Sequence, residues 1–463
     1  MIEHDLTQGP LGGHFRRLAV PAAIGMLFST LYNVVDTFYA GFFGTAAQAG
    51  LAVGFQAFFI LVAIGFGLSS AMSALVGNAK GRKDEVESRH LAVQGIGLAA
   101  VATALMIVIA VFTGPALIAI VSKPGEYRDA GLEYFHFLIF ALPGFIMGPS
   151  ANGILQARGD TLTMQRALVV AFFVNVGLNP LLMFGIPGIV PGIGFNGIAL
   201  ATVLSQTGVA MFILWRVFGR AMMKDLKWSE FIPVPAKYYE IIAQAFPAGF
   251  ALLVTFSSGF IVQYALKDYG EASLAAYGIT MRIEQLFLLP ALGITISLVP
   301  IAAQNYGAGN PERVREAFHR CWLLGVIGTT LAFPFLWFGG GMAARVFSAD
   351  PEVIRISALF LKVEAAILPI YVMLFSINSL LQALKKAAWT MWIGIYRQWI
   401  GIAIFIWLFT EVIDGGLTGV RLGIAVGVGT GLLLSMWIAM RVARIRIGGL
   451  GMPTFLRSSR NAV

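Results

Sequence analysis

The stretch LYNVVDTFYAGFFG (Leu31–Gly44) places one carboxylate, Asp36, inside a long apolar run. A charge near the centre of a bilayer costs at least about 2.5–3.5 kcal/mol, so such a residue is expected either to be compensated or to be used. Its neighbours Val34, Val35, Phe38 and Tyr39 offer no cation within the same segment. Further along, FVNVGLNPLLMFG sets Asn175 and Asn179 four residues apart, on one face of a helix, directly before Pro180. GFNGIALATVLSQ adds Thr202 and, one turn on, Gln206. A carboxylate, two amides and a hydroxyl supply oxygens of the kind a small hard cation needs, and Asp36, Asn175 and Thr202 are the candidate Na⁺ ligands. The same set could equally hold a titrating carboxylate. Residue types leave both chemistries open: Asp36, Asn175, Asn179 and Thr202 form the candidate cation-coupling group, and Asp36, Tyr39, Asn175 and Gln206 the candidate lining of a substrate cavity. Taken singly, each intramembrane Asn or Thr is also an ordinary interhelical hydrogen-bonding group.

Positioning such a group requires membrane helices, and the composition supplies them. The chain has 463 residues, 58% hydrophobic and 12% charged, against about 25% charged in a typical soluble domain. Runs of about 20 apolar residues can cross the hydrocarbon core. Twelve occur, near 17–43, 51–77, 92–120, 131–157, 166–186, 197–219, 239–266, 273–304, 318–346, 354–384, 389–410 and 417–441. The first is too long for the apolar core of a signal peptide. With the N-terminus inside, cytoplasmic segments carry Arg16, Arg17, Lys80, Arg82, Lys83, Arg89, Arg158, Arg166, Arg220, Lys224, Lys227, Lys237, Arg313, Arg315, Arg320, Lys385 and Lys386, and the tail adds Arg441, Arg444, Arg446, Arg457 and Arg460. The other side has only Lys123, Arg128, Lys267, Arg345, Arg355 and Arg421. This bias places both termini in the cytoplasm of a multi-pass protein of the cell (inner) membrane. The net charge of +9 therefore reports topology rather than nucleic-acid binding.

The chain also repeats itself. ALPGFIMGPSANGILQA (Ala141–Ala157) aligns without gaps to ILPIYVMLFSINSLLQA (Ile367–Ala383), at an offset of 226. GNAKGRKDEV (Gly77–Val86) likewise matches NYGAGNPERV (Asn305–Val314) at nearly the same offset. Six spans separate the copies, an even number, so the halves have the same orientation. The expected fold is an all-α polytopic membrane protein of twelve helices in two parallel six-helix repeats, an architecture of secondary transporters. The expected domains are a first bundle over 1–219, a cytoplasmic linker over 220–238 stiffened by Pro233 and Pro235, a second bundle over 239–441, and a basic tail over 442–463.

Other polar residues read as structural. Arg282 and Glu284 near one end of span eight, and Arg397 near the end of span eleven, are expected to snorkel to water. Glu364 is expected to pair with Lys362 or Arg355. His136 reads as an interfacial or packed histidine. The second-half counterpart of Asp36 falls near Val262–Tyr264, without an acid, so the chemistry is expected to be concentrated in the first half. One cysteine, Cys321, excludes a disulfide framework. Five dispersed histidines argue against a membrane enzyme. A flippase would need a more cationic centre, and a channel would draw its selectivity from oligomeric symmetry, whereas the internal repeat favours a monomer. Seventeen Met and thirty-six Phe could line a polyspecific cavity, although each singly is better placed against lipid.

VVDTFYAGFFG, NAKGRKDEVE, NGILQARGD, NVGLNPLLMFG, AAYGITMRIEQLFLLPALG and AAQNYGAGNPERV together resemble the multidrug and toxic compound extrusion (MATE) transporters. The resemblance spans nearly the whole chain. It implies two six-helix bundles around a V-shaped cavity and export of organic cations or drugs in exchange for H⁺ or Na⁺, with no prosthetic cofactor. By position it gives Asp36 as the coupling carboxylate, with Asn175 and Thr202 in the same pocket. The family often has an aspartate where this chain has Asn179. A branch with a helix-seven glutamate would place it at Thr255, so that branch's second-half site is missing. Another exporter of the same superfamily, such as a lipid-linked substrate flippase, is the alternative.

Overall fold

A computed structural model describes residues 4–122, 124–186, 188–219 and 221–451. Of the basic residues named above, Lys123, Arg220, Arg457 and Arg460 lie outside the described residues. Among the described residues, twelve helical stretches are long and apolar enough to cross a membrane. Six are single helices of the first half or its junction: α1 (Leu11–Ala40), α2 (Thr45–Gly81), α3 (Glu85–Val121), α6 (Leu162–Phe184), α7 (Asn196–Phe218) and α8 (Pro235–Leu266). The fourth span joins α4 (Glu126–Leu138) to α5 (Leu142–Ala157). There follow α9 (Glu271–Gly307), α10 (Pro311–Arg345), α11 (Pro351–Ala383) and α14 (Gly416–Ile447). The eleventh span is broken: α12 (Ala388–Ile395) and α13 (Ile402–Trp407) are each followed by a π-helical turn, over Tyr396–Gly401 and Leu408–Val412. A two-residue antiparallel hairpin, β1 (Gly185–Ile186) with β2 (Val190–Pro191), joins α6 to α7.

Helix ends follow local chemistry. Asp84 caps α3 by accepting from the Glu87 amide at 2.9 Å, and Asp350 caps α11 by accepting from the Glu352 amide at 2.8 Å. Each satisfies a backbone donor that the first turn leaves without a partner. Where α5 crosses α2, a Cβ on Gly153 would lie 2.2 Å from the Ser69 carbonyl oxygen, so only glycine permits that approach.

The repeat is written into the corners as well as the helices. Left-handed residues recur 226 positions apart: Gly44 with Gly270, Lys83 (φ 59°) with Gly309 (φ 71°), and Gly159 (φ 79°) with Lys385 (φ 58°). The turn hydrogen bonds recur too. Asp84 N donates to Ala79 O at 3.1 Å and Asn310 N to Asn305 O at 2.9 Å; Asp160 N donates to Leu155 O at 2.9 Å and Lys386 N to Leu381 O at 2.8 Å. Apolar periodicity cannot force this agreement, because turns carry no such pattern. It marks one supersecondary unit used twice.

The chain forms two compact units, one of Met1–Asp5 with Ile24–Gly249 and the other of Leu6–Ala23 with Phe250–Val463. Two helices are therefore shared: α1 divides after Ala23 and α8 after Gly249. Each has a proline inside it just before the division, Pro21 and Pro247, again 226 residues apart. In the first unit α2 runs through a core with Phe58, Tyr134 and Phe135. The segment after α7 is held against α3. Arg89 binds the Glu230 carboxylate, with Nε 2.7 Å from Oε2. The Gln94 side chain bonds the Glu230 and Ile232 carbonyls at 2.8 and 2.9 Å and accepts from the Val234 amide at 2.9 Å. In the second unit, the Leu6 amide donates to Gln304 Oε1 at 2.9 Å, and Asn305 Nδ2 donates to the Leu6 carbonyl at 3.1 Å.

Candidate functional site

Three helices of the first unit converge on Asp36, whose side chain is 3% exposed. From α6, Asn179 Nδ2 donates to Asp36 Oδ1 at 2.9 Å and to Asn175 Oδ1 at 3.1 Å. From α7, Thr202 Oγ1 donates to Asp36 Oδ2 at 2.9 Å. Asn175, Asn179 and Thr202 are buried with it. The 3.6-residue period puts Asn175 and Asn179 one turn apart on the face of α6 that meets α1. Both carboxylate oxygens thus accept from neutral donors, and among the described residues Asp36 has no cationic partner.

The pocket is only partly satisfied. Asn175 Nδ2, Asn179 Oδ1 and the Tyr32 hydroxyl are buried without hydrogen-bond partners. Tyr32 lies one turn before Asp36 on the same face of α1 and faces Thr202, Ser205 and Asn175. Tyr134 of α4 is buried within the electrostatic reach of Asp36 and Tyr32. Ser205 turns its hydroxyl back to the Ala201 carbonyl at 2.7 Å. Asp36, Asn175, Asn179, Tyr32 and Thr202 therefore form one buried, oxygen-rich cluster. Such a donor set suits a small hard cation or a shared proton, since unsatisfied buried polar atoms are expensive.

Sequence reasoning missed Tyr32 and Tyr134. The spacing of Tyr32 from Asp36 was the available signal for the first; Tyr134 had none. The two remaining candidates are seated differently. The Tyr39 hydroxyl donates to the Val176 carbonyl at 3.3 Å. Pro180 lacks the amide that would normally bond that carbonyl, so Tyr39 satisfies the backbone group that the proline leaves free. Gln206 packs its backbone against Gly144, where a Cβ would lie 2.7 Å from the Gln206 carbonyl carbon. Among the described residues it forms no hydrogen bond with the Asp36 group.

The second unit corrects several expectations. Arg397 does not snorkel: it is 2% exposed, in the first π turn. Glu284 is buried as well, although Arg282 is exposed. Glu364 pairs with neither Lys362 nor Arg355. Lys362 lies over the Trp337 ring at 5.9 Å and Arg355 binds Glu352 at 2.6 Å, while Glu364 is buried and has Glu284 as its charged neighbour. Ionisable chemistry is thus not confined to the first half. Residues near the ends of a hydrophobic run look exposed in sequence, but packing by other helices decides whether they are.

Comparison with known proteins agrees with this architecture. The family model MatE matches residues 21–181 and again 247–408, so its two matches start 226 residues apart. A protein of Thermotoga maritima named as a probable multidrug resistance protein, NorM, is 24% identical over 355 residues, covering 75% of this chain and 74% of that protein. A protein of Shewanella oneidensis named as an FAD transporter is 25% identical over 359 residues, covering 76% and 78%. A solved structure of a MOP superfamily transporter from Pyrococcus furiosus matches with a TM-score of 0.87 at 22% identity, covering 95% of this chain and 97% of that one. That last likeness is one of fold.

Proposed function

Because the chain belongs to the MatE family of multi-pass membrane transporters, we propose that it is a secondary antiporter that exports organic cations or amphipathic drugs in exchange for H⁺ or Na⁺, coupled through Asp36. The observation that carries this reading is a carboxylate 3% exposed, held by two neutral donors at 2.9 Å, with no cationic partner among the described residues. A charge so placed is costly when bare and is stabilised by any monovalent cation that reaches it.

In the proposed cycle an external H⁺ or Na⁺ neutralises Asp36 and removes its attraction for a cationic cargo, which leaves to the outside. Release of that ion to the cytoplasm restores the charge and the affinity for cargo. Ligand and ion then bias alternative conformations only through their different affinities for each. Asn179 and Thr202 orient the carboxylate; for Na⁺, the Asn175, Asn179 and Thr202 oxygens complete a shell. The positive-inside bias supports a cytoplasmic membrane location with both termini inside, and the internal repeat supports a monomer as the working unit. The name of the Shewanella relative makes a dinucleotide the second cargo to try.

The test is efflux of a cationic dye from proteoliposomes with pH and Na⁺ gradients imposed separately. Wild-type protein should respond to one gradient, and Asp36→Asn should lose that response. Gradient-driven export at the wild-type rate by Asp36→Asn would overturn the reading.

A further inference from the structure

The second unit contains a buried charge group that the Asp36 cycle does not use. Glu284 of α9 and Glu364 of α11 are 6% and 3% exposed, and Arg397 of the π turn 2%. Among the described residues none of the three has a salt-bridge partner, and Glu364 Oε2, Arg397 Nε and Arg397 Nη1 have no hydrogen-bond partner. The three nevertheless interact through space. Arg397 and Glu284 are electrostatic neighbours, as are Glu284 and Glu364. The other titratable groups facing them are Tyr277 of α9 and Tyr371 of α11. The Arg397 guanidinium lies 5.6 Å from the Tyr371 ring and 5.9 Å from Phe375. On α14, a Cβ at Gly431 would lie 2.7 Å from Arg397 Cγ, so glycine there makes room for the arginine stem.

Two carboxylates and one guanidinium leave one negative charge in excess. In a membrane interior that excess must be removed by a bound monovalent cation. A metal ion needs a shell of several oxygens, yet the neighbours here are aromatic rings, phenols and a guanidinium that repels it. A proton needs one carboxylate oxygen, and Glu364 Oε2 has no other engagement. The guanidinium cannot give up its own charge, and the π turn, a feature common at functional sites, fixes it in place.

We infer that Glu284 and Glu364 share one exchangeable proton against the permanent charge of Arg397, making the second unit a proton site separate from Asp36. The proton arrives from water onto a carboxylate oxygen and returns to water from it; no other bond changes. If the exporter reading above holds, this site adds a proton to the exchange; its existence does not depend on that reading.

The experiment is infrared titration of the purified full chain in nanodiscs, counting protonated carboxyl groups by their C=O band, at fixed pH with and without Na⁺. Glu284→Gln and Glu364→Gln should each lose one protonated carboxyl per chain, because the remaining glutamate balances Arg397. Arg397→Gln should gain one. The band should persist in Asp36→Asn and be insensitive to Na⁺. Either glutamine variant suffices if the other fails to fold, as judged by thermal unfolding. An unchanged count in the glutamine variant, or loss of the band on adding Na⁺, overturns the inference. The proposed function fails by a different result, undiminished dye export by Asp36→Asn, so the two outcomes are separable.

Discussion

The hydroxyl of Tyr39 donates to the carbonyl of Val176 across 137 residues of sequence, at 3.3 Å, and Pro180 is the reason that carbonyl is available. The bond is part-buried, and a typical intramolecular hydrogen bond contributes about 0.5–1.5 kcal/mol. Tyr39→Phe should therefore lower the thermal stability of the purified protein. In a Pro180→Ala background the helix regains its own amide donor, and the same substitution should cost little. A double-mutant cycle measures the coupling; equal losses in both backgrounds would show that the hydroxyl does not serve the freed carbonyl.

Asn179→Asp would place a second carboxylate within hydrogen-bonding distance of Asp36. Two such groups cannot both be charged without a cation between them. The folded variant should then take up a proton or Na⁺ that the unfolded chain does not, and its melting temperature should fall as pH rises, by linkage. Added Na⁺ at high pH should restore stability only if the pocket accepts the metal. Thermal melts over a pH series, with and without Na⁺, read this directly, and a pH dependence equal to that of the wild type would contradict it.

Thr202→Val removes the donor to Asp36 Oδ2 while keeping the shape of the side chain, whereas Thr202→Ser keeps the donor. Export driven by the coupling gradient should be retained by the serine variant. The valine variant should lose on the order of tenfold, the equivalent of about 1.4 kcal/mol, close to the lower end of the range for a hydrogen bond to a charged group. Similar rates for the two would show that shape rather than the donor matters.

Lys83 and Lys385 adopt left-handed backbone at positions whose repeat partners, Gly309 and Gly159, are glycine. A residue with a Cβ pays roughly 1–2 kcal/mol there. Lys83→Gly and Lys385→Gly should each stabilise the protein by about 1 kcal/mol after the entropy that glycine loses on folding. Gly309→Ala should destabilise it by a similar amount.

Glu230, in the segment between α7 and α8, has its carboxyl held below the ordinary glutamate range, chiefly by its hydrogen bond with Arg89. A lowered folded-state value means the contact is fully present above the free-glutamate range and is lost as pH falls through the bound value. Hydrogen exchange in Lys227–Val234 should quicken on acidification. In Arg89→Gln it should already be fast at neutral pH.

The spans were legible from apolar run length, the repeat from its constant offset of 226 residues, and the Asp36–Asn175–Asn179–Thr202 group from polar residue types set inside apolar runs and from the family resemblance. Apolar run length reports a membrane helix, and a four-residue spacing reports a shared face. Tyr32 was legible by the same rule but looks like any interfacial tyrosine. The Glu284–Glu364–Arg397 group was not legible, because each member sits near the end of an apolar run, where exposure is the simpler expectation. The π turns that carry Arg397 inward have no periodic signature. Likewise, nothing local announces that Tyr39 answers Pro180, since that pairing exists only once α1 and α6 meet.

Leu6–Ala23 belongs to the unit otherwise built from Phe250 onward, and its anchors Gln304 and Asn305 lie 298 and 299 residues downstream of Leu6. This segment must therefore wait for about 300 further residues before its partners have been made. Docking of this segment comes late in synthesis, and the interval before it is when an unfinished chain is most open to mispairing. Severing the chain between α7 and α8 would not yield two self-sufficient halves, because each would lack a helical piece that its own core requires.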